Sequence, residues 1–344
     1  MRRSGPRALL DSAEAFDEFV EIDTSVSAAT GLRFKERGPS SSTGVGATRD
    51  ASLIAAMPPV EHRYNENIQA LEVDPDFIAE GIAHAMTQGC DAIRIYDLNY
   101  RDSGTPVDLD LSPFAGNGTI RSVLISDSVK AGNVSLDGLY DMTALRALSW
   151  EDKKIRPDLA RLPGLEELHG HWSKGLAGFD HLKKLKHLFL RSLNEKDCRF
   201  AQGLASLEVL RLTGGSVESL HGIEGLAHLQ LVRLGHCASL KDATALAKLT
   251  SLVELSSEKC KYLRDFSFLA GAPRLEKLFV SELDSLAFVP TLKHLTFLKF
   301  WDLADGNVAP ALDAPALEKV DLYPDRKHYT HTKAEVNAVL GARG

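Results

Sequence analysis

Three histidines have the residue type and spacing that come nearest to a chemical site in this sequence. His169 and His171 stand two residues apart in ELHGH, so in an extended strand their side chains point to the same side. His187 lies on the next segment with the same pattern. Three converging imidazoles can bind zinc, but no acidic or cysteine ligand accompanies these at a recognisable spacing. We therefore predict no metal site and interpret the three residues as polar contacts for a partner.

Other candidates for chemistry are weaker. The glycine-rich GVGATR at 44–49 has no preceding strand and no following Lys-Ser or Lys-Thr, so it does not match a phosphate-binding loop. Asp108 and Asp110 have no partner acid, base or metal motif, and the sequence contains neither GxSxG nor HExxH. The sequence predicts no catalytic residue and no cofactor, and therefore no enzyme. An enzyme with its chemistry in residues 1–90 or at the histidines is kept as an alternative.

Charge, hydropathy and cysteine content argue against a nucleic-acid-binding, a membrane-spanning and a disulfide-stabilised protein. Lys and Arg total 40 against 47 Asp and Glu, and this net charge of −7 does not favour binding to a phosphate backbone. No apolar run approaches the ~18 residues of a membrane span. Four scattered cysteines do not form a disulfide framework. We expect a reducing, cytoplasmic location, with export as an effector kept as an alternative.

A repeated unit must position these residues. The segments LEVLRL, LQLVRL, LVELSS and LEKLFV begin at Leu207, Leu229, Leu252 and Leu275, with apolar residues at positions 1 and 4 and mostly at position 6. A fixed period of about 20–29 residues is typical of solenoids. Alternation over positions 3 to 7 predicts a short strand with positions 4 and 6 facing a core. Units with this pattern start at Cys90, Ile120, Leu145, Leu165, Leu185, Leu207, Leu229, Leu252, Leu275, Leu295 and Leu317.

From about Cys90 to Leu322 this pattern resembles the leucine-rich-repeat family, LxxLxLxx(N/C)xL, in the irregular form with repeats of 20–23 residues that bacterial proteins have. The resemblance implies an α/β fold. In it, a curved parallel sheet forms the concave face of a solenoid, short helices or 3-10 turns form the convex face, and helices cap the ends. At position 9, where the family often has asparagine, only Cys237 and Cys260 fit the cysteine variant. We interpret these two thiols as small buried hydrophobes.

The chain divides into four predicted regions. These are a poorly ordered or irregular region 1–70, an N-terminal capping helix within 71–89, a solenoid of about 11 units over 90–323 and a C-terminal cap over 324–344. In the first helix, Asp74 is the expected N-cap, Pro75 opens the helix and Gly89 ends it. Thr332 and Glu335 have the spacing of a capping box, which predicts the last helix.

The side chains at positions 3, 5 and 7 would face the concavity. Arginine and aromatic residues on an exposed face are typical of interface hot spots. The predicted partner-binding residues are His169, His171, His187, Phe189, Arg191, Arg211, Arg233, Glu254, Phe279, Phe297, Lys299, Trp301 and Tyr323. We thus predict a non-catalytic module that binds another protein on this face, with no membrane and no small-molecule cofactor.

Two finer readings stay open. Bacterial chains of this type include effectors and neutralisers of toxic partners, so an immunity-like or effector-like adaptor is one hypothesis. Nucleic-acid binding through Arg191, Arg211 and Arg233 is the other, and it would require a steep dependence on salt. Because Glu254 interrupts the row of arginines, we disfavour nucleic acid.

Overall fold

A computed structural model describes residues 58–101 and 105–343 of the chain. Within these residues the main sheet has thirteen strands, and a second sheet has two. The strands are β1 His62–Asn65, β2 Ala70–Val73, β3 Ala92–Ile95, β4 Val107–Asp110, β5 Ser122–Ile125, β6 Ala131–Ser135, β7 Ala147–Trp150, β8 Glu167–His171, β9 His187–Leu193, β10 Val209–Gly215, β11 Leu231–Gly235, β12 Glu254–Glu258, β13 Lys277–Leu283, β14 Phe297–Leu303 and β15 Lys319–Leu322. The α-helices are α1 Ile78–Gln88, α2 Asp137–Tyr140 and α3 Lys333–Gly341.

The strand register follows the repeat. In each unit predicted from Cys90 to Leu317, the strand begins at position 3. Neighbouring strands pair in parallel with like positions opposite each other, so that Leu210 lies between Leu188 and Val232. These three position-4 side chains are almost completely buried because every coil adds the same apolar positions to one continuous core. The α/β solenoid and the leucine-rich-repeat resemblance are confirmed at the level of the fold.

The N-terminal end departs from the prediction. β2 pairs in parallel with β3, and β1 then pairs antiparallel with β2. The segment IQALEV at 68–73 therefore starts a further unit. Its apolar residues Ile68, Leu71 and Val73 have the spacing of positions 1, 4 and 6 of the repeat. The region up to residue 70 is not irregular throughout, since it contains β1. What we predicted for residues 1–57 lies outside the described part of the chain.

Helix α1 has the predicted ends but another role. Asp74 caps a 3-10 turn, Pro75–Phe77, that leads into α1, and Gly89 closes the helix with φ at 67°. Since β2 precedes α1 in the sheet, the helix connects the first two parallel strands and is not an end cap. Ile78 and Ile82 are buried, whereas Met86, four residues after Ile82 and so at the same helical spacing, is 52% exposed, and Ala85 packs into the core in its place.

Short helices connect most strands on the convex side, as predicted. They are α2 and the 3-10 helices Ser112–Phe114, Leu159–Arg161, Phe179–His181, Arg199–Ala201, Thr244–Lys248, Ser267–Leu269, Val289–Thr291 and Ala309–Asp313. The connection between β10 and β11 is an exception, since residues 221–228 contain turns and no helix. Its Gly222 has φ at 113°, which is outside the helical region.

The two longest repeats carry the second sheet. β4 pairs in parallel with β6, on the chain segments that link β3 to β5 and β5 to β7. Asp108 belongs to β4, and its Oδ1 accepts a hydrogen bond from the backbone N–H of Asn133 at 2.8 Å. Asp110 ends the same strand, and its Oδ1 accepts a hydrogen bond from the Ser112 N–H at 2.9 Å. Both aspartates therefore hold the backbone of this region.

Helix α3 closes the other end of the sheet. Thr332 and Glu335 form the predicted capping box, and Val336 and Leu340 are buried. The Asn337 side chain accepts from the Val320 N–H at 2.9 Å and donates to the Val320 carbonyl at 2.7 Å. An edge strand otherwise leaves such groups open to pairing with another chain. α3 therefore satisfies part of the edge of β15.

The paired thiols at position 9 bond to the coil backbone. Cys237 Sγ donates to the carbonyls of Gly235 and Leu212 at 3.5 and 3.7 Å, and Cys260 Sγ lies 3.7 Å from the Leu234 carbonyl. Both cysteines are buried and free. They are small buried residues, as interpreted. At position 9, where the family pattern often has an asparagine, they also donate to backbone carbonyls.

Candidate partner-binding face

The side chains at positions 3, 5 and 7 of the main sheet point away from the core, and we call the surface they form the concave face. Like positions on neighbouring strands are adjacent, with Phe189, Arg211 and Arg233 in one row across β9, β10 and β11. Neighbouring strands lie about 4.8 Å apart, so a row of this kind is a continuous surface. Twelve of the thirteen predicted partner-binding residues lie on these strands. The exception, Tyr323, follows β15 and is 77% exposed.

The three histidines lie on this face but have separate neighbours. His187 Nδ1 is 3.5 Å from Glu167 Oε1, and the hydrogen bond from His187 lowers the pKa of Glu167. His171 Nδ1 is 2.9 Å from the carbonyl oxygen of Trp172, so Nδ1 carries the proton in this contact. Across the described residues, no group of three or more His, Cys, Asp or Glu side chains is arranged to hold a metal ion. The arrangement is one of single polar contacts.

His169 is the most strongly perturbed of the three. Its ring lies edge-on to Phe189, with centroids 6.0 Å apart. Burial lowers its pKa to about 4, and the charge of Arg211 acts in the same direction against the opposing charge of Glu167. At neutral pH His169 is therefore an uncharged, partly apolar part of the concave face.

This lowered pKa predicts a pH dependence of stability. Because the pKa of His169 is about 4 in the folded protein and 6.5 in a free side chain, the unfolded chain binds the proton first as the pH falls. Wild type should lose about 1 kcal/mol of unfolding free energy to this residue between those two pH values. Urea unfolding of His169→Gln should show a smaller loss over this range.

The exposed His228 provides the matched control, since it lies outside the concave face. His228→Gln should follow the wild-type pH profile. If His169→Gln and wild type lose the same free energy from neutral to acid pH, then His169 is not the group that titrates.

The arginine row is largely neutralised from within. Arg191 Nη1 lies 3.3 Å from Glu151 Oε2, and Arg233 Nη2 lies 2.8 Å from Glu254 Oε1. Glu254 is only 7% exposed, so this second pair is nearly removed from water. A phosphate backbone is bound by cations that are free to displace counterions. Two of the three arginines predicted for that role already have a carboxylate.

Arg211 differs from its neighbours. Its guanidinium makes no hydrogen bond or ion pair with any described residue, although the side chain is largely covered. Burial and, to a smaller extent, the charge of Arg233 lower the pKa of Arg211 to about 10, against the opposing charge of Glu254. At neutral pH the group is still cationic. The concave face thus contains a partly dehydrated positive charge that forms no ion pair with a described residue.

The C-terminal part of the face is aromatic. Phe279 and Trp301 pack edge-to-face with centroids 5.2 Å apart, and Lys299 Nζ lies 5.7 Å from the Phe279 ring and 3.3 Å from Asp321 Oδ2. These contacts leave Phe279 only 3% exposed. Phe279, one of the predicted partner-binding residues, therefore packs against Trp301 and Lys299 and has little surface left for a partner. Trp301 itself remains half-buried and open to a partner.

Phe297 is also half-buried, on the same strand as Trp301. Lys319 Nζ lies 5.7 Å from the centre of the Phe297 ring, which is within the range of a cation–π contact. Phe297 and Trp301 therefore present partial aromatic surface on either side of the buried Lys299. This surface can contact apolar groups of a partner.

Sequence reasoning missed the N-terminal end of the face. Glu72 is only 1% exposed, and its carboxylate lies 2.6 Å from Arg63 Nε, 3.0 Å from Arg94 Nη1 and 3.0 Å from Asn65 Nδ2. The repeat spacing of IQALEV would have placed Glu72 at position 5, next to Arg94. Arg94, the first arginine of the face, therefore shares one carboxylate with Arg63.

Comparisons with known proteins add likenesses of fold. No protein-family model matches the chain, and none of the curated proteins matches it. Among solved structures, an internalin (inlF) of Listeria monocytogenes is 15% identical, with a TM-score of 0.48 over 75% of this chain and 87% of that one. The internalin C2 (inlC2) of the same organism is 20% identical, with a TM-score of 0.39 over 54% and 75%. A leucine-rich-repeat protein of Leptospira interrogans is 16% identical, with a TM-score of 0.39 over 74% and 78%.

No helix among the described residues has the length and apolarity needed to cross a membrane.

Proposed function

We propose that this protein is a non-catalytic binding module whose concave face recognises another protein. The observation that carries the proposal is Arg211, whose largely covered guanidinium forms no hydrogen bond or ion pair with a described residue and lies in a row with Phe189. Arginine and aromatic side chains in a desolvated setting dominate the binding energy of protein interfaces. Half-buried Trp301, further along the same face, is a second anchor of this kind.

The other two classes of function have less support. For an enzyme, the histidines would need to act together, but His187 and His171 face Glu167 and a backbone carbonyl respectively. For nucleic acid, the row would need several free cations, and Arg191 and Arg233 are paired with carboxylates. The proposal accordingly includes neither a cofactor nor a phosphate-backbone ligand.

The setting of the module is also part of the proposal. The four described cysteines are free thiols, which supports a reducing, cytoplasmic compartment. An immunity-like or effector-like adaptor is the role that we favour, since bacterial proteins with such repeats include both kinds.

The proposal is tested by photo-crosslinking from the concave face. Benzoyl-phenylalanine replaces Phe189, and illumination in the cells that make the protein should give an adduct of higher mass. The adduct should resist nuclease and be destroyed by protease. Adding Arg211→Met should lower its yield at least about tenfold, because this variant keeps the length of the side chain but lacks the charge that attracts the partner group.

Two matched controls locate the contact. Benzoyl-phenylalanine at Tyr262, which is 61% exposed and lies outside the concave face, should give little or no adduct. Arg274→Met changes an exposed arginine just before β13 and should leave the Phe189 adduct unchanged. We avoid Arg233→Glu, since it would place a carboxylate against the buried Glu254 and endanger the fold. A nuclease-sensitive adduct, or equal yields from both positions, would contradict the proposal.

A further inference from the structure

The arginines of the concave face fall into two kinds within the described residues. Three of them lie within ion-pairing distance of a carboxylate, in the pairs Arg94–Glu72, Arg191–Glu151 and Arg233–Glu254. Arg211 has no such partner, although the fold provided carboxylates for its neighbours. This difference among the arginines of the concave face indicates that a partner molecule supplies the carboxylate that pairs with Arg211.

The surroundings of Arg211 fit a ligand group that brings one negative charge. Phe189 lies beside it on one strand and Arg233 on the other. Arg233 is already neutralised by Glu254, so the row has a single uncompensated charge at this point. A guanidinium binds one carboxylate through two parallel N–H···O bonds, which satisfies both groups at once.

The strand next to Arg211 carries no side chain at position 7. Gly235 occupies this position on β11 and is paired with Thr213. Gly235 is buried, and a Cβ built on it would lie in ordinary van der Waals contact with the Thr213 side chain, at 3.5 Å from Oγ1. This position therefore places no long side chain of the protein itself against the Arg211 guanidinium.

We propose that Arg211 binds the carboxylate of an aspartate or glutamate side chain that the partner protein inserts between Phe189 and Arg233. This inference rests on the proposed function and specifies its chemistry. The partner segment is acidic at this point and carries no phosphate. A phosphate would bring a second negative charge, and the nearby cations Arg233 and Lys259 already lie against Glu254 and Glu258.

The test uses a displayed library of random unmodified peptides, panned on the full-length protein. Bound peptides are counter-selected on Arg211→Met, which removes the charge and keeps the length of the side chain. Because no described residue forms a hydrogen bond or ion pair with the guanidinium, this change leaves none of them unpaired, and circular dichroism should show an intact protein. The peptides that survive should share an aspartate or glutamate.

A double-mutant cycle then identifies the contact. Replacing the shared Asp by Asn, or Glu by Gln, should weaken binding to wild type about 10–100-fold, as for a hydrogen-bonded charge pair. The same replacement should have little effect on binding to Arg211→Met. Arg274→Met, at the exposed arginine before β13, is the matched control and should behave as wild type.

The outcomes separate this inference from the proposed function. If peptides bind with affinity that depends on Phe189 and Trp301 but not on Arg211 or on an acidic residue, the carboxylate inference is overturned and the binding face stands. If no peptide depends on any concave-face residue, both fall. A single-stranded RNA oligonucleotide that binds wild type and not Arg211→Met would also overturn the inference, in favour of a phosphate ligand.

Discussion

Replacing Gly170 by leucine is expected to destabilise the protein by about 3 kcal/mol or more, because the space that position 6 normally fills is already occupied. Gly170 lies opposite Trp150 in the sheet, and a Cβ built on it would lie 2.3 Å from Cζ2 of the indole. Trp150 is 1% exposed, and its Nε1 donates to the carbonyl of His171 at 3.3 Å. The ring therefore has nowhere to move. Urea unfolding followed by circular dichroism measures the loss.

A second substitution should recover part of this loss. Trp150→Leu alone leaves a cavity and should cost about 1–3 kcal/mol. In the double variant Trp150→Leu with Gly170→Leu, both coils have the leucine that the repeat pattern favours. The loss of unfolding free energy in the double variant should thus be smaller than the sum of the two single losses by about 1–3 kcal/mol. Strict additivity would show that the indole does not fill the Gly170 position.

Gly225 provides the control for the change from glycine itself. It is exposed, and a Cβ built on it meets nothing within 4 Å. Gly225→Leu should change the unfolding free energy by no more than about 0.5 kcal/mol. If Gly170→Leu is as mild as Gly225→Leu, the contact with Trp150 does not restrict position 6.

The case of Gly170 shows what the repeat pattern could and could not predict. The spacing of apolar residues predicted every strand from β3 to β15 in the main sheet, since a core that extends coil by coil requires the same positions in each unit. At Gly170 the pattern shows only that position 6 lacks its usual apolar side chain. That the neighbouring Trp150 compensates for it depends on the size of a side chain in another coil, which a pattern of apolar and polar residues does not contain.

The N-terminal unit was missed for a different reason. IQALEV has the apolar spacing of the repeat, but it follows a segment of low complexity and has a glutamate in its strand. Glu72 is stabilised there by Arg63, which comes from the antiparallel strand β1, and by Arg94. Antiparallel pairing has no signature in a parallel repeat, so the partner that makes a buried carboxylate acceptable could not be inferred.

The candidate site also has features that the sequence predicted and features that it could not predict. Position 5 correctly placed Phe189, Arg211 and Arg233 in one row. Which arginine has a partner depends on how far long side chains reach, as when Arg191 on β9 contacts Glu151 two coils away. Residue type alone therefore could not single out Arg211, and ion-pair distances were needed to do so.

Replacing Leu210 by alanine should cost about 2–5 kcal/mol of unfolding free energy, in the range of buried leucines whose cavity is only partly refilled. Leu210 is fully buried at position 4 of β10, with Leu188 and Val232 opposite it on the two neighbouring strands. Both neighbours are fixed by their own coils, so neither can move into the space. Urea unfolding should show a lower midpoint for the whole transition.

Leu124 is the control that isolates the face of the sheet. It is a leucine on β5 at position 5, so it has the same chemistry and strand geometry but lies on the concave face and is only half-buried. Leu124→Ala should cost less than about 1.5 kcal/mol, because it leaves a shallow depression open to water and no cavity in the core. Equal losses for the two variants would mean that the core does not lie on the side of the sheet to which positions 4 and 6 point. The identity of every concave-face residue, Arg211 included, depends on that alternation.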